Sequence, residues 1–208
     1  MKACLVALLL VGAFADYGVD ISAGVDSGSF GCMVSNGYTF TIVRGYCSYG
    51  GVDPNAVSNI QSAYAGGMSH VDAYLFPCFS CGNPAGQVDA LVDAISGTGY
   101  GMVWLDIEVY QWGDVSDNIN FIQGLMDELS NQGVNYGIYT NYYNWQSITN
   151  LWTGPADSGV QLWWAYYDGE ANFNDYSGFA DWSGPNIKQF AGDVNVCGVD
   201  VDQNWYPD

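Results

Sequence analysis

Basic side chains are almost missing from this sequence. Three Lys and Arg together stand against 22 Asp and Glu in 208 residues, for a formal charge of −19. Beyond residue 15 the only cations are Arg44 and Lys188. Surfaces that bind nucleic acid or an anionic membrane are built from clustered Lys and Arg, so neither partner is expected. Histidine is scarcer still: His70 stands alone. No helix can therefore present two imidazoles to a metal, and a Ser-His-Asp arrangement would have to recruit a residue in a loop just before the third expected strand. Phosphate-binding loops, internal repeats, low-complexity tracts, Pro-rich linkers and Asn-x-Ser/Thr acceptors are all absent. The glycine cluster at residues 97–101 precedes a strand rather than following one, so it reads as a connecting turn. Neither a metal nor an organic cofactor is expected.

Long apolar runs are missing too, with one exception. Met1-Lys2 is followed by an eleven-residue apolar run at 4–14 and by Ala13-Phe14-Ala15. That run is too short to cross a bilayer, and its flanks are those of a secretory signal cleaved after Ala15. The remainder, residues 16–208, reads as a single domain with no membrane insertion. Cys32, Cys47, Cys78, Cys81 and Cys197 remain in it. On a secretory route these are available for disulfides, and an odd number leaves a thiol over. Cys78-Phe79-Ser80-Cys81 has half the spacing of a zinc site but no second half, so a disulfide is the better reading. The pairing is not legible.

Acid, by contrast, is abundant. It suits a soluble secreted protein, and it also suits a working pH low enough to neutralise many of these carboxylates. Aromatic and aliphatic residues are abundant too, which argues for a packed core rather than disorder. Short apolar runs alternate with helical patterns. Strands are expected at 17–21, 38–46, 71–77, 102–110, 136–140, 161–166, 187–190 and 199–202. Helices are expected at 54–65, 86–95, 116–132 and, weakly, 145–151. The stripe Ile119, Ile122, Leu125, Met126 and Leu129, a cap at Ser116 and a C-terminal Gly133 make 116–132 the clearest helix. Repeated βα units with near-continuously apolar strands argue for a parallel sheet covered by helices. The fold class is therefore α/β: a compact, irregular TIM-like β/α barrel of about eight strands with few helices in its last third. An open doubly wound sheet is the alternative.

The chemistry sits in carboxylates at strand ends: Asp20 on the first strand, Asp106 and Glu108 on the fourth, Asp200 and Asp202 on the last. Any one Asp could simply cap a loop or bind calcium. Two acids one residue apart inside the apolar run Met102–Tyr110 are harder to explain that way, because burying them unpartnered is costly. A barrel gathers these ends at one rim. Crowded carboxyls there raise one another's pKa, so that one stays protonated beside an ionised neighbour, as glycosidic cleavage requires. Aromatics also fall near strand ends. Tyr46, Tyr74, Tyr139, Trp164 and Tyr166, with Asn141, are the candidate sugar-binding residues, and Phe76, Tyr110, Trp112, Tyr167 and Trp205 lie nearby. Trp104 and Trp163, inside strands, read as structural.

Four segments resemble family 25 of the glycoside hydrolases, the lysozyme family: YGVDIS, WLDIE, YGIYTN and IKQFAGDVNVCGVDVDQNWY, in the family's order and spanning nearly the whole chain after residue 15. The resemblance implies the irregular barrel. It also implies cleavage of the β-1,4 bond between N-acetylmuramic acid and N-acetylglucosamine in bacterial peptidoglycan. Glu108 matches the general acid/base, and Asp106 the neighbour that stabilises positive charge or orients the 2-acetamido group. Asp20 and Asp202 match the other site acids, Asn204 selecting Asp202 over Asp200, and Tyr139 lies on a matching strand. The implied partner is bacterial peptidoglycan, met by a monomer that is secreted or held in acidic digestive vesicles. The alternatives are an inactive peptidoglycan- or chitin-binding barrel and a chitin-cleaving glycosidase. The latter families carry a longer acidic run than the Val103-Trp104-Leu105 that precedes Asp106.

Overall fold

The computed structural model describes residues 15–207, so the expected signal segment, apart from Ala15, lies outside the described residues. The strands are β1 (Asp16–Ile21), β2 (Tyr38–Cys47), β3 (Gly51–Val52), β4 (His70–Leu75), β5 (Val103–Asp106), β6 (Tyr136–Thr140), β7 (Gln161–Ala165), β8 (Ile187–Val196) and β9 (Val199–Tyr206). The helices are α1 (Ser27–Ser35), α2 (Ala56–Ala65), α3 (Pro84–Ile95), α4 (Val115–Asn131), α5 (Tyr142–Thr149) and the single turn α6 (Gly154–Asp157). Strand order is β1-β9-β8-β7-β6-β5-β4-β2, and pairing of β1 with β2 closes the barrel, while β3 hangs on β2. It is a closed barrel, not an open sheet, and after α5 only α6 is left on its outside.

Side chains alternate across the barrel wall. Phe40, Ile42, Trp104, Tyr139, Trp163, Ala165 and Ile187 fill the interior. Val43, Leu105 and Ile138 point outward instead, onto Leu91, Ile122, Leu125 and Leu129 of the helices. Interior rings need space beside them. A Cβ at Gly137 would run into the Trp104 indole, and one at Gly18 into the Phe40 ring.

Several sequence expectations need correction. The last strand is not a short parallel one. Cys197 and Gly198, both at positive φ (56° and 81°), form a two-residue turn after β8, and so short a connection joins only antiparallel strands. β9 therefore runs on to Tyr206 antiparallel to both β8 and β1. The fourth strand ends at Asp106, not at 110: the chain leaves the sheet there, and Val109 and Tyr110 are exposed. α4 begins after Asp114 rather than Ser116. Its Gly133 sits at φ +68° as expected. α1 was not legible because its short Ser/Gly-rich sequence carries little helical periodicity; Asp26 caps it by accepting from Ser29 N at 2.8 Å, and Phe30 and Met33 anchor it.

Among the described residues two disulfides form, Cys32–Cys197 and Cys78–Cys81, and Cys47 is a buried thiol. The first joins α1 to the β8–β9 turn across 165 residues. A cross-link closing so long a loop strongly restricts the unfolded chain. Replacing Cys32 and Cys197 together by Ser is expected to cost about 2–5 kcal/mol in urea unfolding. The same change at Cys78 and Cys81, only 3 apart, should cost less.

Candidate active site

At the C-terminal ends of the parallel strands, a cavity of about 190 Å³ is lined by Asp20, Tyr74, Asp106, Glu108, Tyr139, Trp163, Tyr167, Gln189 and Asp202. Every strand of the closed barrel except β2 contributes an inward residue at that level. Asp202 arrives from the opposite direction: because β9 is antiparallel, its early residues lie at this rim, and Asp202 pairs in register with Asp20. Asp200 is exposed. Glu108 lies beyond the end of β5, and the turn that carries it is tied down where the Trp112 indole donates to the Glu108 carbonyl at 2.7 Å.

The hydrogen bonds are organised around one amide. Gln189 Nε2 donates to Asp20 Oδ1 at 2.7 Å and to Asp202 Oδ2 at 3.1 Å. Gln189 Oε1 accepts from the Tyr139 and Tyr167 hydroxyls at 2.6 and 2.7 Å. Asn204 Nδ2 donates to Asp20 Oδ1 at 2.7 Å while its Oδ1 accepts from the Trp163 indole. Asp202 Oδ1 accepts from Asp193 N at 2.8 Å. Asp106, by contrast, has a buried Oδ1 with no partner.

Crowding and burial push every one of these acids upward. Asp20 rises to about 8, chiefly because it is buried and then because Asp202 is beside it, against the pull of its two amide donors. Asp106 goes well above the carboxylate range through burial, then through Glu108 and Asp20. Glu108 rises through burial and then Asp202, and Asp202 through burial, offset by the Asp193 N–H. The site is thus poised to hold protons that ordinary carboxylates have lost.

A wider groove of about 610 Å³ continues from this cavity. Glu108, Tyr139 and Tyr167 belong to both, and Asn141, Trp164, Tyr166, Tyr176 and Phe179 line the extension. The Trp164 and Tyr166 rings stack at 4.9 Å. Asn141 accepts from Asn144 N at 2.9 Å and so caps α5 three residues earlier than expected.

Of the residues singled out from sequence, Asp20, Asp106, Glu108, Asp202, Tyr74 and Tyr139 meet in the cavity, and Asn141, Trp164 and Tyr166 in the groove. Tyr46 does not join them: it is buried in the core between barrel and helices. His70 opens β4 rather than preceding it and bonds Asp72 at 2.8 Å, at the other end of the barrel. Gln189 was missed, although a polar residue sharing its strand face with Ile187 was a signal. Trp163 both packs the interior and lines the cavity. Among the described residues, no group of three or more His, Cys, Asp or Glu is arranged to hold a metal ion.

The family model described as "Lysozyme-like protein 1" matches residues 12–190. "Probable GH family 25 lysozyme 4" of Dictyostelium discoideum is 47% identical over 193 residues, covering 91% of this chain and 90% of the relative. This chain belongs to family 25 of the glycoside hydrolases. A further relative, "Lysozyme-like protein 5" of Caenorhabditis elegans, is 41% identical over 91% of each chain. The family's fold is shared by a bacterial lysozyme from Streptomyces coelicolor, with a TM-score of 0.76 at 20% identity over 93% of this chain and 92% of that one. A muramidase from Acremonium alcalophilum gives 0.74 at 19% identity, covering 93% and 94%.

Proposed function

We infer that this family 25 hydrolase is a lysozyme that cleaves the β-1,4 bond between N-acetylmuramic acid and N-acetylglucosamine in bacterial peptidoglycan. One observation carries the reading: Glu108, an acid with a raised pKa, stands where the carboxylate cavity opens into an aromatic groove. The groove receives sugar rings on their C–H faces. Protonated Glu108 donates to the leaving glycosidic oxygen as the ring approaches an oxocarbenium-like state, and once ionised it activates the incoming water. The unpartnered Asp106 Oδ1 supports a role in orienting the 2-acetamido group, because a substrate N–H would complete it. Asp20 and Asp202 complete the acidic rim. Residues 1–15 act as a secretory signal, and the remainder works as one monomeric catalytic domain, outside the cell or in an acidic digestive vesicle.

The pH dependence follows from sign. Glu108 must carry its proton to act, and its pKa lies above the ordinary 4.5, so activity persists into mild acid and falls as pH rises through the shifted value. Wall surfaces are mostly anionic and repel a protein of this charge at neutrality. Clearing of a bacterial cell-wall suspension at low ionic strength is expected to peak on the acid side of neutral, releasing new muramic acid reducing ends. A maximum at or above neutrality would refute the acid optimum; intact walls at every pH, or N-acetylglucosamine ends instead, would refute the muramidase.

A further inference from the structure

Gln189 is 2% exposed, yet its amide uses everything it has. A primary amide offers two N–H donors and two lone pairs, and here all four are engaged: both N–H groups by carboxylates, both lone pairs by tyrosine hydroxyls. This orientation turns the amide donors toward the carboxyl oxygens and the amide oxygen toward the tyrosine hydroxyls. We propose that Gln189 is a positioning residue: it holds Asp20 and Asp202 as a pair, ties that pair to Tyr139 and Tyr167, and thereby keeps the Asp202 charge where Glu108 feels it.

The choice of side chain is chemically specific. A Lys or Arg at this place would keep both carboxyls ionised. An apolar residue would leave them without the donor that partly offsets burial. A neutral amide does neither, and so leaves the pair able to titrate. The groups facing it are Asp20 from β1, Tyr74 from β4, Asp106 and Glu108 at and beyond β5, Tyr139 from β6, Tyr167 after β7 and Asp202 from β9. Neither cation of the described chain interferes. Arg44 of β2 is held by Asp53 and the Ser22 carbonyl, and Lys188, the residue before Gln189 on β8, bonds Asp168. Asp193 and Asp200 add negative charge to Asp202 from its own hairpin.

The catalytic consequence rests on the lysozyme reading, but the electrostatic one does not, and the test separates them. Gln189→Met keeps the length and removes every hydrogen bond. In ¹³C-carboxyl NMR titration of the full chain, the Asp20 and Asp202 midpoints are expected to move up in this variant, with no substrate present. In wall clearing, kcat should fall about 100-fold, KM much less, as for a misplaced catalytic group. The high-pH limb of the profile should also move toward acid, because a more often neutral Asp202 no longer holds up the Glu108 proton. Unmoved carboxyl midpoints in a variant that melts like wild type would overturn the proposal. So would a uniform loss of rate with the limb in place, which is what a packing role produces. If Gln189→Met does not fold, the same titration is made on Gln189→Leu, which removes the donors without adding a charge: raised Asp20 and Asp202 midpoints support the proposal, and unchanged ones end it. If wild type clears no wall, the lysozyme reading fails while the titration still decides Gln189.

Discussion

Glu108→Gln is expected to slow wall cleavage by about 10²–10⁴-fold, the usual contribution of a positioned general acid, and to leave the fold intact. The amide keeps the side-chain shape but has no proton to give to a leaving oxygen. Stability should not fall, and the reason is electrostatic. The folded protein raises the Glu108 pKa through burial and the neighbouring Asp202, so its stabilising contribution is full below the unfolded value and is lost as pH rises through the folded one. At neutral pH an ionised Glu108 is therefore a cost that Gln removes. The melting temperature of Glu108→Gln at pH ~7 should equal or exceed that of wild type. Reducing-end release from purified walls, measured beside a thermal melt, checks both halves. A folded variant within tenfold of wild-type turnover would remove Glu108 from the acid role.

Asp168→Asn is expected to be among the most damaging substitutions outside the catalytic cavity, costing about 3–5 kcal/mol in urea unfolding. Lys188 is fully buried. Its Nζ donates to both Asp168 oxygens at 2.8 and 2.7 Å and to the Glu170 carbonyl at 2.8 Å, and it lies 5.2 and 5.3 Å from the Trp164 and Tyr166 ring centres. Neutralising Asp168 leaves a buried ammonium without its counter-charge. Removing the cation instead, as in Lys188→Met, takes away the charge together with the need for a partner, and the cost should be much smaller. Equal losses from the two variants would contradict this account. Burial alone would raise the Asp168 pKa, but Lys188 together with the Glu170 N–H outweighs it and the net shift is downward. The pair's contribution is thus present above the ordinary carboxylate value and lost only as pH falls through the lowered one, so it survives the mild acid in which the site is expected to work. Because Tyr166 and Tyr167 precede Asp168 directly, loosening this loop should also raise KM by disturbing the groove wall.

What could be read from the chain alone was what depends on neighbours in sequence. The Ile119-to-Leu129 stripe, the apolar strands, the Gly133 stop and the DxE spacing at Asp106 and Glu108 are short-range patterns. They were enough for a β/α barrel with acids at its rim and for the family. Where a local signal was weak or ambiguous, the reading failed. Tyr46 stands at a strand end but on the face that packs beneath the helices, and α1 hides in Ser and Gly.

Only the tertiary structure decided how the acids are partnered and which way β9 runs. The antiparallel turn at Cys197 and Gly198, clamped to Cys32, brings Asp202 opposite Asp20. Gln189 and Asn204 then reach Asp20 across 169 and 184 residues. Sequence periodicity reports which side chains share a face of one element, whereas a carboxyl's pKa and a buried lysine's partner depend on what other elements bring within a few ångströms. The residue types at the site were therefore determined by the sequence, and their protonation and working partnerships by barrel closure.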